Sequence, residues 1–328
     1  MRKFKTGVAM RAARLAARLA SVLTVLMACA CPLAAAAQTL AGEEATALAD
    51  ILVDGRPLRS VVQSFVGSVA APAGDRGPAR WDGPLCVGVL NLATGPAQFL
   101  ADRVSDIGAE LKIAIAEPGC KPNLVVMFTS DGADLAKDLV RTRRREFLVG
   151  TSGATLGRDA LEAFQNSDRA VRWWAVSIPV NEDTGKAAVR LPGQGPFPGG
   201  AIERPSDLGS FGVNGPASRL TSSIKDLMQQ VLVIVDINEM GAADFTQIAD
   251  YVALVGLAQI DPEAETGGFD SILNLFDPDV APPPALTAFD WAYLRGVYGA
   301  TQRARSGRGL VAEVAAGMER ELRSRPEP

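Results

Sequence analysis

The residues available for chemistry in this chain are restricted by the absence of histidine. None of the 328 residues is histidine, which excludes Ser-His-Asp and Cys-His nucleophilic sites and zinc bound by histidine. Ser222 and Lys225 stand three residues apart in segment 222–228, which we expect to form a helical turn. A buried lysine can activate a serine at that spacing. A helix N-cap at Thr221 or Ser222 explains the same residues without chemistry.

Acidic residues indicate a second kind of site but also have structural explanations. Asp183-Thr184-Gly185 matches the catalytic triplet of aspartic peptidases, which need two carboxylates sharing a proton, and the sequence has no second copy. Its position between two strand-like runs predicts a hairpin turn. Asp290 follows Thr287 by three residues, which is the spacing of a capping box, so we expect it to begin a helix.

One stretch, 244–299, is expected to position the remaining candidates. Apolar residues recur at helical spacing in its first part, at Ile248, Val252 and Val255. A short apolar segment with Asn274 in its middle follows, and the capped helix described above ends the stretch. The pattern therefore predicts a helix, a loop, a short turn and a second helix in that order.

This order resembles the catalytic region of the zincin metallopeptidases, which reads HExxHxxGxxH in the metzincin branch and carries a Met-turn further on. When Gly256 is set on the motif glycine, Ala249 and Ala253 fall on the two helix histidines. Asp250 then falls on the general-base glutamate and Gln259 on the third histidine. The spacing of the motif is kept and its metal ligands are replaced.

The residues downstream extend the resemblance. Residues 271–274 fall where the family has its Met-turn, with Leu273 in the methionine place, and 286–299 resemble the capped closing helix of secreted metzincins. The chain thus resembles a degenerate zincin domain, of the kind seen in exported bacterial proteins related to zincin-like lipoproteins. The resemblance covers about 80–300 in element order but only 249–299 in motif. An ordinary core helix followed by a capped helix explains the same residues without common ancestry.

The resemblance implies a three-layer α+β fold, with a zincin-like mixed sheet, an active-site-type helix and a helical C-terminal part. It implies neither a metal nor another cofactor, because without three histidines neither bound zinc nor an activated water follows. A cleft for a peptide or another envelope protein would remain. Its expected boundaries are the Gly- and Pro-rich loop 192–216 and the side chains of Asp250, Gln259, Asn274 and Asp277.

Strand and helix patterns are mixed along the chain, with helices concentrated late, which fits an α+β or three-layer α/β domain. Strands are predicted at 85–90, 111–116, 124–129, 171–180, 187–191 and 231–236. Helices are predicted at 38–67 (with a turn at 55–57), 95–109, 131–141, 157–166 and 310–323.

The N-terminus has the parts of a secretory signal. Six basic residues and no acid precede an uncharged apolar run that starts at Leu19 and ends in alanines. We therefore expect cleavage after Ala37 and export to the periplasm or the medium. An uncleaved anchor, or a lipid on Cys29 within a lipobox-like Leu26-Met27-Ala28-Cys29, would instead hold the protein at the membrane.

Removal of the signal makes the chain strongly acidic. It leaves 291 residues with 27 basic and 37 acidic side chains, a formal charge of −10. This balance argues against general affinity for nucleic acid or for an anionic membrane surface. The predicted organisation is a signal peptide (1–37), a helical segment and linker (38–79), a globular domain (80–305) and a C-terminal helix and tail (306–328).

Two cysteines remain after the signal, and in an exported chain two thiols predict one disulfide. Cys86 and Cys120 each adjoin an apolar strand pattern, and the two strands are expected to be neighbours. Two lone thiols without histidine do not make a zinc site.

Three functions fit these observations. The first is an inactive zincin-like domain that binds or scaffolds in the cell envelope, and we favour it over an enzyme. The second is a histidine-independent hydrolase that uses Ser222 and Lys225 or a carboxylate such as Asp250. The third is a structural envelope protein whose segment 38–79 pairs with a partner, so that deletion of this segment would leave the globular domain folded.

Overall fold

The structure, a computed structural model, describes residues 56–72, 77–147, 155–182, 185, 224–303 and 306–324. Helices and a four-stranded mixed sheet form an α+β fold, as the sequence predicts. The predicted helical stretch 38–55, the strand 187–191 and the loop 192–216 lie outside the described residues.

The sheet contains β1 (Val87–Leu90), β2 (Leu124–Thr129), β3 (Val171–Asn181) and β4 (Ile224–Asp236). The strands lie in the order β1-β2-β4-β3. The first three in this order run parallel, and β3 runs antiparallel to β4 at the edge. The predicted strands at 124–129 and 171–180 are confirmed almost to the residue.

Helices lie on both faces of the sheet. They are α1 (Leu58–Val69), α2 (Thr94–Glu110), α3 (Gly132–Thr142), α4 (Arg144–Phe147), α5 (Arg158–Asn166), α6 (Phe245–Leu257), α7 (Ala288–Gly299) and α8 (Gly307–Ser324), with a 3-10 turn at Ile272–Asn274. No helix in these ranges is long and apolar enough to cross a membrane.

The continuous apolar run in β4 is explained by burial on both faces. Val231, Val233 and Val235 point into the larger core, which contains α6, while Leu232 and Ile234 point into a smaller core against α3 and α5. Alternate residues of a strand face opposite sides, so a strand between two helical layers must be apolar at every position. The described part of the chain therefore has three layers.

The central helix of the larger core is α6. Every residue from Gln247 to Leu257 is buried, because the sheet covers one side and α2, the 3-10 turn and α7 pack on the others. Its start is fixed by a capping box, in which Asp244 and Gln247 each accept a hydrogen bond of 2.8 Å from the other's backbone N–H.

The two helices that the sequence analysis placed outside the globular domain belong to its core. Phe65 of α1 is fully buried, and its ring packs edge-on against Phe289 and Tyr293 of α7 at 4.8 and 5.6 Å between centroids. α8 packs along both α1 and α7. The predicted boundaries at 80 and 305 are therefore wrong. The two ends of the predicted linker are held by one residue, since Ala71 N donates to Gln259 O and Ala79 N donates to Gln259 Oε1.

Two element predictions are also corrected. Residues 224–228, expected in a helical turn, are the first part of β4, where pairing with β3 and with Arg80 keeps a polar segment extended. The strand predicted at 111–116 is reduced to a single bridge between Ile115 and Leu85. The first case shows tertiary hydrogen bonding overriding a local pattern.

The predicted disulfide is present. Cys86 and Cys120 are bonded with a Cα–Cα distance of 6.2 Å, and they lie just before β1 and in the loop that leads to β2. The bond closes a loop of 34 residues, for which the loop-entropy relation gives a stabilisation of about 4 kcal/mol.

Candidate functional site

Asp250, the residue in the general-base position of the resemblance, lies at the centre of α6 and is fully buried. Its Oδ1 accepts from Arg103 Nε at 2.6 Å, and its Oδ2 accepts from Arg103 Nη2 at 3.0 Å and from Leu286 N at 2.8 Å. The hydrogen bond to Asp250 also raises the pKa of the Arg103 guanidinium. This carboxylate therefore joins α2, α6 and the segment before α7, and both of its oxygens are engaged.

The two positions of the helix histidines carry only methyl groups, and both are packed in the core. Ala249 and Ala253 are fully buried. Gly256 allows α6 to approach the sheet, because a Cβ at this position would lie 2.5 Å from Leu124 Cδ1. Its carbonyl oxygen accepts a hydrogen bond of 2.9 Å from Trp81 Nε1. The glycine of the apparent motif is therefore a packing glycine within the helix.

Gln259, in the third ligand position, is committed to structural contacts. Its Oε1 accepts from Ala79 N at 3.0 Å, its Nε2 lies 3.5 Å from Ser177 Oγ, and the residue is 2% exposed. Two methyl groups and one engaged amide do not fit a zinc ion, which needs nitrogen, thiolate or carboxylate ligands. Among the described residues, no three cysteine or carboxylate side chains cluster closely enough to hold a metal.

The other two cleft candidates are Asn274, which lies within the 3-10 turn, and Asp277, which follows it. Asn274 is buried, where its Oδ1 accepts from Thr266 Oγ1 at 2.6 Å and its Nδ2 donates to Phe269 O at 2.7 Å. Asp277 is half-buried and accepts from Asp279 N at 2.9 Å.

The four candidate side chains thus bond to four separate sets of partners. Asp250, Gln259 and Asn274 are almost completely buried, so these three do not form the wall of an open cleft. The interpretation is corrected for a physical reason: a buried polar group needs hydrogen-bond partners, and here the fold itself supplies them.

Of the proposed serine and lysine pair, only Lys225 lies among the described residues. Lys225 is in strand β4 and not in the expected helical turn. Lys225 Nζ is 2.9 Å from Glu182 Oε1, and Arg303 Nη2 is 3.4 Å from the same oxygen. These bonds lower the pKa of the Glu182 carboxyl, and the bond from Lys225 has the larger effect. Lys225 is therefore engaged in an ion pair with Glu182.

The most fully satisfied polar cluster surrounds Asp290 at the start of α7. The fully buried carboxylate accepts from Ser271 Oγ at 2.6 Å, Ile272 N at 2.8 Å, Thr287 N at 2.9 Å and Thr287 Oγ1 at 3.0 Å. The predicted capping box is confirmed. Asp290 also ties the 3-10 turn to α7, which the sequence did not indicate. Burial raises its pKa to about 6, although these hydrogen bonds act in the opposite direction.

Asp290 should make stability depend on pH. The pKa of Asp290 in the folded protein, about 6, lies above its ordinary value of 3.8. The contribution of the protonated side chain to the free energy of unfolding is therefore complete below about pH 4 and is lost as the pH rises through about 6. We expect Asp290→Asn, which has no proton to lose, to cost about 3 kcal/mol less at pH 7.5 than at pH 4. Urea unfolding of both proteins across this range measures the difference. Asp279→Asn, which removes an exposed carboxylate, is the matched control. If the loss of stability in Asp290→Asn does not change with pH, the prediction is contradicted.

Sequence reasoning missed Arg103, although a signal was available. Arg103 stands four residues after Phe99 and four before Ile107, on the apolar stripe of α2. A charge on a stripe that faces the core indicates a buried partner of opposite charge. That partner is Asp250.

Comparison with known proteins identifies no relative. No family model, no curated protein and no solved structure matches the chain significantly.

Proposed function

We propose that this protein is an exported, catalytically inactive zincin-like domain that acts by binding or scaffolding in the cell envelope, with a peptide or another envelope protein as its partner. The observation that supports the inactive state is the closed ion pair of Asp250 with Arg103. A general base has to contact a water or a substrate proton, whereas both oxygens of Asp250 already accept hydrogen bonds from the protein.

The placement of α6 supports the zincin-like part of the proposal. α6 follows β4 directly in the chain and packs beneath the sheet, with Gly256 against Leu124 of β2. The strand-then-helix order and the short turn before a capped closing helix are what the resemblance requires. With Ala249 and Ala253 in the core, these elements provide a rigid support and no catalytic group.

Metal and activity measurements test this proposal. The purified protein is dialysed against zinc, washed and analysed for bound metal, then assayed with a mixed library of quenched fluorogenic peptides. We expect substoichiometric zinc and no cleavage. One zinc per chain, or zinc-dependent cleavage that Asp250→Asn abolishes, would contradict the proposal. Cleavage that is unchanged in Asp250→Asn does not come from the zincin-like site.

The structure gives no support to a role in which residues 38–79 form a separable pairing segment. α1 contributes Val62, Phe65, Val66 and Val69 to the larger core, all of them fully buried. Deletion of the segment would therefore expose the core. A binding surface has to be sought on the assembled domain.

A further inference from the structure

The outer edge of β1 carries backbone groups that no described residue bonds. Cys86 O accepts from Leu124 N at 3.1 Å, and in the parallel register of β1 and β2 the backbone groups of Gly88 also face β2. Alternate residues of a strand turn these groups to opposite sides, so those of Val87 and Val89 face away from β2. Within the described ranges, neither the N–H nor the C=O of Val87 and Val89 forms a hydrogen bond.

The chain itself begins to pair with this edge and then leaves it. Leu85 N donates to Ala114 O at 2.7 Å, and Ala116 N donates to Leu85 O at 2.9 Å, which makes a parallel bridge. The next donor to β1 in this register would be the N–H of Pro118, which proline lacks. Polypeptide pairing on this edge therefore starts at Leu85 and stops before Val87.

Apart from its shortness, β1 has none of the features that prevent pairing at a sheet edge. Such features include lysine, proline and β-bulges on the edge strand. β3, at the other edge of the sheet, contains Pro179 and a bulge between Val176 and Ser177. β1 has the sequence Val-Gly-Val-Leu, and Leu90 at its end is 49% exposed. The unprotected edge is therefore the one opposite to β3.

The groups along this edge indicate what it would bind. Free N–H and C=O groups at strand spacing complement the backbone of an extended polypeptide, which is the principle of β-augmentation. An exposed apolar side chain borders the edge on each face of the sheet, Ile115 beside α2 and Leu90 on the opposite face. Residues 85–90 carry no charge. An uncharged, apolar segment is therefore the complementary partner.

We propose that the β1 edge binds an extended, uncharged and apolar segment of a partner protein, which adds to the sheet as a fifth strand. Its backbone would accept hydrogen bonds from the N–H groups of Val87 and Val89 and donate to their C=O groups. This inference rests on the proposed binding role and assigns that role a surface, but it does not depend on the zincin-like interpretation.

Selection from a phage-displayed library of random dodecapeptides, with the full-length protein as bait, tests this edge. We expect the selected peptides to be apolar and rich in β-branched residues. Val89→Pro should weaken their binding by about tenfold or more, because it removes a donor and places a ring in the path of the added strand. The N–H of Val89 faces away from β2, so proline removes no hydrogen bond within the sheet.

Two further variants make the test specific. The side chain of Val89 packs on the larger core, so Val89→Ala, which shortens it and keeps the N–H, is the matched control and should bind the peptides normally. Leu90→Lys places a charge at the exposed end of the edge and should also weaken binding. Thermal unfolding verifies that each variant is folded, and Leu90→Lys preserves the test if Val89→Pro does not fold.

Amide hydrogen exchange locates the bound peptide. In the free protein the amides of Val87 and Val89 should exchange faster than that of Gly88, and the peptide should protect both. The proposal is overturned if no peptide is selected, or if both edge variants bind the selected peptides unchanged. In the second case the peptides bind another surface and the proposed function stands. A dimer that Val89→Pro dissociates would also overturn it, because a second copy would then occupy the edge.

Discussion

Replacement of Asp250 by alanine is expected to lower the free energy of unfolding by about 3–5 kcal/mol, the range for breaking a buried ion pair. The substitution removes a fully buried carboxylate and leaves Arg103 and the backbone N–H of Leu286 without their acceptor. Urea unfolding followed by circular dichroism measures the loss. The result bears on function, because a carboxylate kept for chemistry usually costs stability, and its removal is then neutral or stabilising.

A matched control and a double variant make the test specific. Asp138→Ala breaks an exposed ion pair with Arg141 of similar length, 2.9 Å, and should cost less than about 1 kcal/mol. The variant Asp250→Leu with Arg103→Met replaces both charges by apolar groups and should recover much of the loss. If Asp250→Ala costs no more than Asp138→Ala, the ion pair is not the structural contact described here.

Gly296→Ala should also lower the free energy of unfolding strongly, because the backbones of α7 and α8 are in contact at Gly296. A Cβ at this position would lie 2.7 Å from Val314 O and 3.2 Å from Met318 N. These are backbone atoms of α8, so α8 itself would have to move away from α7. We expect a loss of about 2–4 kcal/mol, at or above the upper range for overpacking of a core.

Gly299 provides the control within the same helix. Nothing lies within 4 Å of a Cβ at Gly299, so Gly299→Ala should be neutral or should stabilise α7 by up to about 1 kcal/mol through helix propensity. Thermal and urea unfolding of the two alanine variants measures their stabilities. The difference separates the effect of the backbone contact at Gly296 from the effect of helix propensity within the same helix. Equal effects at both positions would contradict the close approach of α7 and α8.

Much of the fold could be predicted, because local patterns coincide with tertiary roles. The apolar run 124–129 is a strand buried on both faces, and the Thr287 and Asp290 spacing is a capping box. The first half of β4 could not be predicted, because Lys225, Asp226 and the glutamines that follow have no strand-like alternation. Hydrogen bonds from β3, which lies more than forty residues earlier in sequence, hold this segment extended.

The candidate site could be predicted only in part. The sequence places Ala249, Ala253 and Gln259 at the three histidine positions of the motif, and the structure buries all three. The sequence does not reveal that Asp250 is buried, since an acid on a helix is usually exposed and the partner, Arg103, is far away in sequence. Nor does the Gly- and Pro-rich composition of 71–79 reveal that Ala71 N and Ala79 N both donate to Gln259. Such contacts depend on the assembled fold.

The packing of α1 against α8 has a consequence for how the protein acquires its structure. The two helices come from opposite ends of the described chain, and Phe65 is covered by residues of α7 that are also late in sequence. Contacts of such high sequence separation slow folding, because the intervening loop must close before they stabilise anything. During synthesis the apolar face of α1 therefore emerges long before its cover. A chaperone that holds this helix would keep the chain unfolded until the last helix has been made.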